Sequence, residues 1–362
     1  MSAGALINTA VRRDDGFRGL FSDAEYAAVS AFFDNRPELA PTPLRPVPHL
    51  STAARIAHVD AKDETRRFGL NAFKIAGVTY AAHQLGASAR RKGFVCATAG
   101  NHGRAVAHVA RQLGVSCTVF VPAPARTLSG PEARTRSARV TAMREDGAIV
   151  VDVPGSYEDA VANAASHGEA TGATILSDTS WDGYQEIPRW IMLGYTRLFE
   201  EASVQWQQPP GLVIVQAGVG GLLCAATSWF ARKFAGRRPY LIACEPDGAA
   251  CLLESASAGV ASVVAGELDT IMAGLRCASP SPVAWPTIHR GVDAFIAIED
   301  AQALEAMSAL AADEPRIDVG PSGVCGAAAL VALGSAPEFV HVRHAAGLDR
   351  STRALIVLTE GA

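Results

Sequence analysis

No two cysteines in this 362-residue chain stand in a C-x-x-C pair, no block of like charges occurs, and no apolar run approaches the length of a membrane span. Each absence excludes a class of function. The seven cysteines (96, 117, 224, 244, 251, 277 and 325) are scattered, which argues against a zinc centre and fits a reducing cytoplasm. No metal site is expected. Lys and Arg total 32 against 36 Asp and Glu, a net charge of −4 that leaves no footprint for nucleic acid. Apolar runs such as Leu212 to Val215 are far too short to cross a bilayer, so no membrane partner is expected. Met1 to Val11 lack a basic region followed by an apolar core, so no signal peptide is expected and the reading is cytoplasmic. What remains is a chain with 49% hydrophobic and 19% charged residues, too long for one ordinary core. Two domains are the natural expectation.

Five prolines between residues 36 and 50 read as an extended surface arm that excludes helix. Beyond it, short apolar strands alternate with helical stretches. Strands are expected at Phe94–Thr98, Ser116–Val121, Ala148–Val153, Ala173–Leu176, Leu212–Gln216 and Tyr240–Cys244. Helices are expected at Ile75–Leu85, Arg104–Leu113, Pro131–Glu145, Ser156–Ser166 and Leu222–Phe234, with a helix and connector over Trp190–Pro210. That alternation predicts parallel α/β sheets, whose ligands sit at the carboxyl ends of strands.

Lys74 follows Phe73 in an apolar, glycine-flanked stretch, where desolvation would turn an ammonium into a usable amine nucleophile. Thr98, Ala99, Gly100, Asn101, His102 and Gly103 form a strand-to-helix turn suited to a substrate carboxylate. Asn101 and Gly103 are equally readable as residues that shape a tight turn, and His102 as a structural hydrogen-bonder. The strand V-I-V-Q runs into Gly218, Val219, Gly220 and Gly221, a phosphate cradle. A nicotinamide reading of this loop has Leu223 where a third glycine belongs, although Glu245 stands where a ribose-binding acid would. Asp178 follows a strand directly and reads either as a base or as an Asx-turn, and Asp182 as a cap. Thr359 ends a late buried strand, where its hydroxyl could meet a heterocycle nitrogen.

Together these pieces resemble fold type II pyridoxal 5′-phosphate (PLP) enzymes, the tryptophan synthase β and threonine dehydratase relatives. Thr42-Pro43-Leu44 is similar to an early T-P-L segment of that group. R-F-G-L-N-A-F-K, N-H-G-R, D-T-S-W-D-G-Y-x-x-I-P-x-W-I-M-x-G-Y, Q-A-G-V-G and T-I-M-A-G-L-x-C resemble the diaminopropionate ammonia-lyases across nearly the whole chain. The resemblance implies two three-layer α/β/α domains with the cofactor in the cleft between them. Residues 1–90 with 205–362 would form the large PLP-binding domain, 91–204 a smaller mobile one, and the chain a homodimer. It implies that Lys74 holds PLP as a Schiff base, beside Phe73. Gly218, Val219, Gly220 and Gly221 would take the phosphate, Asn101 the ring hydroxyl and Thr359 the pyridine nitrogen.

The implied reaction is α,β-elimination of a small β-substituted amino acid to a 2-oxo acid and ammonia. Thr98, Ala99, Gly100 and His102 would bind the substrate, and Asp178 would take the α-proton, with Lys74 its rival. One departure stands out. The position before G-N-H-G is an aspartate in the resembling lyases, serving the D-enantiomer, whereas this chain has Ala99. An L substrate is therefore expected, 2,3-diaminopropionate-like or alternatively a β-hydroxy amino acid such as serine or threonine. Cys251 and Cys277 stand where the resembling lyases also have cysteines, and free thiols are expected there.

Overall fold

The computed structural model describes residues 4–98, 100–124, 127–128, 130–313 and 315–362, all with their side chains except 131 and 132. It divides into two compact units, Met1–Phe73 with Tyr195–Ala362, and Lys74–Gly194. Among the described residues eleven strands form two sheets. They are β1 (Ala5–Ile7), β2 (Leu44–Pro46), β3 (His58–Asp63), β4 (Phe94–Ala97), β5 (Cys117–Pro122), β6 (Ile149–Val153), β7 (Thr174–Ile175), β8 (Leu212–Gln216), β9 (Tyr240–Pro246), β10 (Ala294–Ile298) and β11 (Arg353–Leu358).

The first unit holds a seven-stranded sheet in the order β1-β10-β9-β8-β11-β3-β2. Its five central strands are parallel, and β1 and β2 close the edges antiparallel. β8 and β10 are buried at every residue, so both faces of the sheet are covered, as parallel sheets require. Alternate residues Leu212, Ile214, Ile242, Ile296 and Ile356 pack with the apolar helix Pro321–Ser335 on one face. The helix Gly221–Phe234, buried from Leu222 to Ala231, links β8 to the parallel β9. The second unit holds four parallel strands, β6-β5-β4-β7.

The proline arm departs from expectation at its end. Leu44–Pro46 is an edge strand, where a missing N–H costs no ladder bond. A helix then begins at Pro48 and runs to Ala54. Proline is tolerated at its first position because that N–H has no intrahelical partner in any helix.

A fully buried charge cluster ties the arm to the segment before Lys74. Lys62 donates to Thr42 O at 2.6 Å and to Glu201 Oε2 at 2.7 Å. Arg67 donates to Glu201 Oε2 at 2.6 Å, to Glu64 Oε1 at 2.8 Å and through Nε to Glu64 Oε2. Lys62, Glu64 and Arg67 have no exposed surface, so two cations face two carboxylates in the interior. Burial alone would raise the pKa of Glu201, but the Arg67 and Lys62 charges outweigh it and bring it down to about 2. From Arg67 the chain turns sharply. Phe68 (φ 48°) and Gly69 (φ 81°) are both left-handed, and Arg67 and Leu70 exchange backbone bonds of 2.8 and 2.9 Å. The strain at Phe68 is held by Arg67 over its ring and by stacking on Phe33.

Removing one carboxylate should leave a buried cation unpaired. Glu201→Gln is expected to lower unfolding free energy by about 3–5 kcal/mol in urea denaturation. Its folded pKa lies below the unfolded 4.5, so its contribution is full above that pH and is lost as pH falls toward about 2. A variant as stable as the parent would show that the two cations do not depend on Glu201.

Candidate active site

In the second unit Lys74 is the first residue of the helix Lys74–Gln84. The helix lies close to the start of Glu186–Gln205, because a Cβ on Gly194 would come within 2.8 Å of Gly77 Cα. That contact gives Gly194 a packing reason to be glycine. Lys74 is half-buried, its side chain 23% exposed, and its Nζ donates to Asp178 Oδ2. The apolar pocket expected around it is in fact shared with this carboxylate.

Asp178 follows β7 on a short loop. Tyr184 holds that loop, its hydroxyl donating to Ile175 O at 2.8 Å and accepting from Ser177 N–H at 2.9 Å. Asp182 is exposed at the tip. Burial would raise Asp178, but the charges of His102 and Lys74 and the Lys74 hydrogen bond hold its carboxyl well below the usual carboxylate range. His102 is itself 5% exposed, and burial depresses its pKa more than Asp178 raises it. It is therefore neutral at pH 7, and Lys74 supplies the charge that Asp178 feels there. His102 Nε2 lies 2.8 Å from Leu176 O, a pure acceptor, so Nε2 carries the proton. Nδ1 then points a lone pair toward Asp178 Oδ2 at 3.7 Å, with no hydrogen-bond partner among the described residues.

Thr98 Oγ1 accepts from Gly100 N–H at 3.0 Å, and Ala99 lies outside the described residues. Asn101 opens the helix Asn101–Leu113, three residues ahead of the expected start, with extended Gly100 as its N-cap and no capping side chain. The first N–H groups of that helix could meet a carboxylate. Gly103 has a packing reason, since a Cβ there would sit 2.7 Å from Thr98 Cγ2.

In the first unit Gly218–Gly221 join β8 to the helix Gly221–Phe234, which no side chain caps. Gly220 is left-handed (φ 94°), and an added Cβ would lie 2.5 Å from Ile288 Cδ1. A Cβ on Gly218 would lie 2.6 Å from Cys277 Sγ. Val219 O accepts from Ser281 N–H at 2.8 Å, which fixes the loop. Glu245, which the nicotinamide reading needs for a ribose, is fully buried. Its two oxygens accept from Leu252 and Leu253 N–H at 2.8 Å each, so it caps a helix instead. Leu223 is also fully buried as part of the core. None of the seven cysteines forms a disulfide. Phe73 packs on Tyr195 with ring centroids 4.8 Å apart and donates its N–H to Thr359 O at 3.1 Å. Thr359 lies just past β11, 4% exposed, with Gln216 Nε2 3.0 Å from its hydroxyl. Tyr184 and Gln216 carry no assigned role in the sequence reading. Gln216 leaves a trace there, as an amide ending an otherwise apolar strand.

An uncapped helix behind a glycine loop, with a lysine–carboxylate pair elsewhere in the chain, is the equipment of a phosphate-bearing carbonyl cofactor. Residues 36–347 match the family described as pyridoxal-phosphate dependent enzyme. The chain belongs to that family. Among these PLP-dependent enzymes it is 34% identical to diaminopropionate ammonia-lyase of Salmonella typhimurium over 92% of this chain and 88% of that protein. It is 31% identical to the Escherichia coli K12 enzyme of that name, over 94% and 89%. The E. coli lyase crystallised with an aminoacrylate–PLP azomethine superposes with TM-score 0.87 at 30% identity, covering 100% of this chain and 94% of that one. The same enzyme with D-serine gives TM-score 0.87 at 29% identity, covering 99% and 94%. Maize serine racemase, 22% identical with TM-score 0.79 and covering 95% of each chain, shares the fold. The chain is thus a fold type II PLP enzyme and a homologue of the diaminopropionate ammonia-lyases.

The residues present fit the cofactor. Lys74 offers a primary amine, and no side chain caps the helix Gly221–Phe234 behind the glycine loop, so its first N–H groups suit a phosphate. Gly220→Asp is expected to lose bound pyridoxal phosphate, because it adds a clashing side chain and a negative charge to that cradle. Cofactor content measured after dialysis, unchanged from the parent, would remove the loop from the site.

Proposed function

We propose that this chain catalyses α,β-elimination of a β-substituted L-amino acid, 2,3-diaminopropionate-like, to a 2-oxo acid and ammonia. The observation that carries the reading is the Lys74–Asp178 pair beside neutral His102, in a homologue of the ammonia-lyases. Bound pyridoxal phosphate supplies an electron sink for the pair left when an α-proton departs. Lys74 holds the cofactor through its amine, with Phe73 beside it in sequence. Gly218, Val219, Gly220 and Gly221 take the phosphate, Asn101 the ring hydroxyl and Thr359 the ring nitrogen.

The chain's own groups do the rest. The helix start at Thr98, Gly100, Asn101 and His102 receives the substrate carboxylate. Asp178 takes the α-proton, and Lys74, when neutral, is the other group able to do so. A carboxylate held as acidic as Asp178 is a weak base while the Lys74 ammonium lies against it. Its basicity recovers when that positive charge is withdrawn. A proton on Asp178 Oδ2 would face the lone pair of His102 Nδ1, so the imidazole can keep the carboxyl oriented.

Ala99 has no carboxylate to serve a D-substrate or to hold a distal ammonium. That residue also favours a second reading, elimination of water from a β-hydroxy amino acid such as serine or threonine. Release of 2-oxo acid and ammonia from L- and D-diaminopropionate, L-serine and L-threonine decides between them.

Lys74→Ala is expected to abolish both turnover and the visible absorption that borohydride bleaches, whereas a retained absorption would overturn the assignment of the lysine. Asp178→Asn should lower kcat roughly a hundredfold or more on the L-enantiomer while leaving that absorption in place. Equal parent rates on both enantiomers, or an undiminished Asp178→Asn, would show that the base lies elsewhere.

A further inference from the structure

Four consecutive backbone groups lead up to Asp178, and each has a partner. Ile175 O accepts from the Tyr184 hydroxyl at 2.8 Å, and Leu176 N–H donates to Val95 O at 2.9 Å. Leu176 O lies 2.8 Å from His102 Nε2, and Ser177 N–H donates to the Tyr184 hydroxyl at 2.9 Å. Two of the four partners are thus one atom, the phenol oxygen of Tyr184. Leu176 and Ser177 are buried, where an unpaired backbone group is costly.

The roles at that oxygen are fixed. A carbonyl only accepts and a backbone N–H only donates, so the phenol gives its single hydrogen to Ile175 O and receives Ser177 N–H on a lone pair. Burial, reinforced by the Asp178 charge, pushes the Tyr184 pKa up, which keeps that hydrogen in place. The hydroxyl has no proton left for a substrate. Its ring is placed locally. Trp181 and Tyr184 exchange backbone bonds of 3.2 and 3.0 Å around left-handed Gly183 (φ 79°), and their rings stack 4.1 Å apart at 15°. This short hairpin returns the phenol to the end of β7.

We infer that Tyr184 is a positioning residue for the reaction. By spanning Ile175 and Ser177, its hydroxyl holds the Asp178 carboxylate where it meets Lys74 Nζ and faces His102 Nδ1. This rests on the proposed role of Asp178 as the base for the α-proton. Without the hydroxyl, Leu176 stays pinned by Val95 and His102, but Ile175 O and Ser177 N–H lose their partner. A shift of the backbone or an entering water then serves them, and either loosens the residue beside Asp178. Catalysis is sensitive to misplacement of about 1 Å.

The test is a double-mutant cycle of Tyr184→Phe and Asp178→Asn in the full-length, cofactor-loaded protein. It is read as kcat and KM for the L-amino acid turned over, with amide hydrogen exchange at Ser177 as a second readout. Tyr184→Phe keeps the ring that stacks on Trp181. It is expected to lower kcat roughly tenfold or more, to leave KM and the cofactor absorption unchanged, and to speed exchange at Ser177. On top of Asp178→Asn the same change should cost nothing further, because the group it positions is already gone. A role confined to holding the fold together would cost the same factor in both backgrounds. Tyr184→Phe with the parent's kcat overturns the inference, and so does a loss that repeats in full on Asp178→Asn. A Ser177 amide that exchanges in the parent as freely as an open loop overturns it too, whether or not Tyr184→Phe folds. An undiminished Asp178→Asn instead sinks the reading of the base, on which the inference stands.

Discussion

The charge cluster of Lys62, Glu64, Arg67 and Glu201 is the constraint on which the approach to Lys74 depends. Four ionised groups without solvent have few arrangements in which every donor meets an acceptor, and each misplacement leaves a charge unpaired in a low-dielectric interior. Thr42 from the proline arm and Glu201 from a distant helix must both be in place before Arg67 is satisfied. The left-handed turn at Phe68 and Gly69 comes next in the chain, closed by the Arg67 and Leu70 backbone bonds. Residues 64–73 are then joined to the end of β11 by Glu64 N–H to Leu358 O at 3.0 Å, Phe73 N–H to Thr359 O at 3.1 Å and the Ala72–Glu360 bridge. Lys74 is the next residue along.

Two kinds of electrostatics meet in the proposed chemistry. Lys74 and Asp178 are ionised and half-buried, and each can change charge as protons move. Gln216 and Thr359 are neutral and buried, with Gln216 Nε2 3.0 Å from the Thr359 hydroxyl. The first arrangement suits groups that exchange protons with a substrate. The second suits a fixed environment that must not exchange them. His102 stands between these types, a buried imidazole kept neutral with one lone pair toward the carboxylate.

Ala99 is where this chain parts from the lyases it resembles, and it alters the substrate question without altering the cofactor question. Gly100 is the N-cap of its helix and donates its N–H to Thr98 Oγ1, and neither feature uses the side chain at 99.

Parallel α/β architecture was legible from periodicity alone. Apolar strands such as β8 and helices such as Gly221–Phe234 announce themselves because their local pattern and their buried environment demand the same residues. The glycine-rich turn after β8 was legible for a related reason, since few residue types tolerate the left-handed backbone at Gly220. Other features depend on partners far away in the chain. The helix at Pro48 was misread and the capping role of Glu245 was not foreseen, because one proline or one glutamate does not reveal which backbone N–H it spares or receives. The Lys74–Asp178 pair joins residues 104 positions apart, and Gln216 reaches Thr359 across 143. Local sequence determined which elements form and which side chains could carry chemistry. Tertiary structure alone decided proton direction, because the orientation of an amide or an imidazole is set by acceptors that only folding brings near.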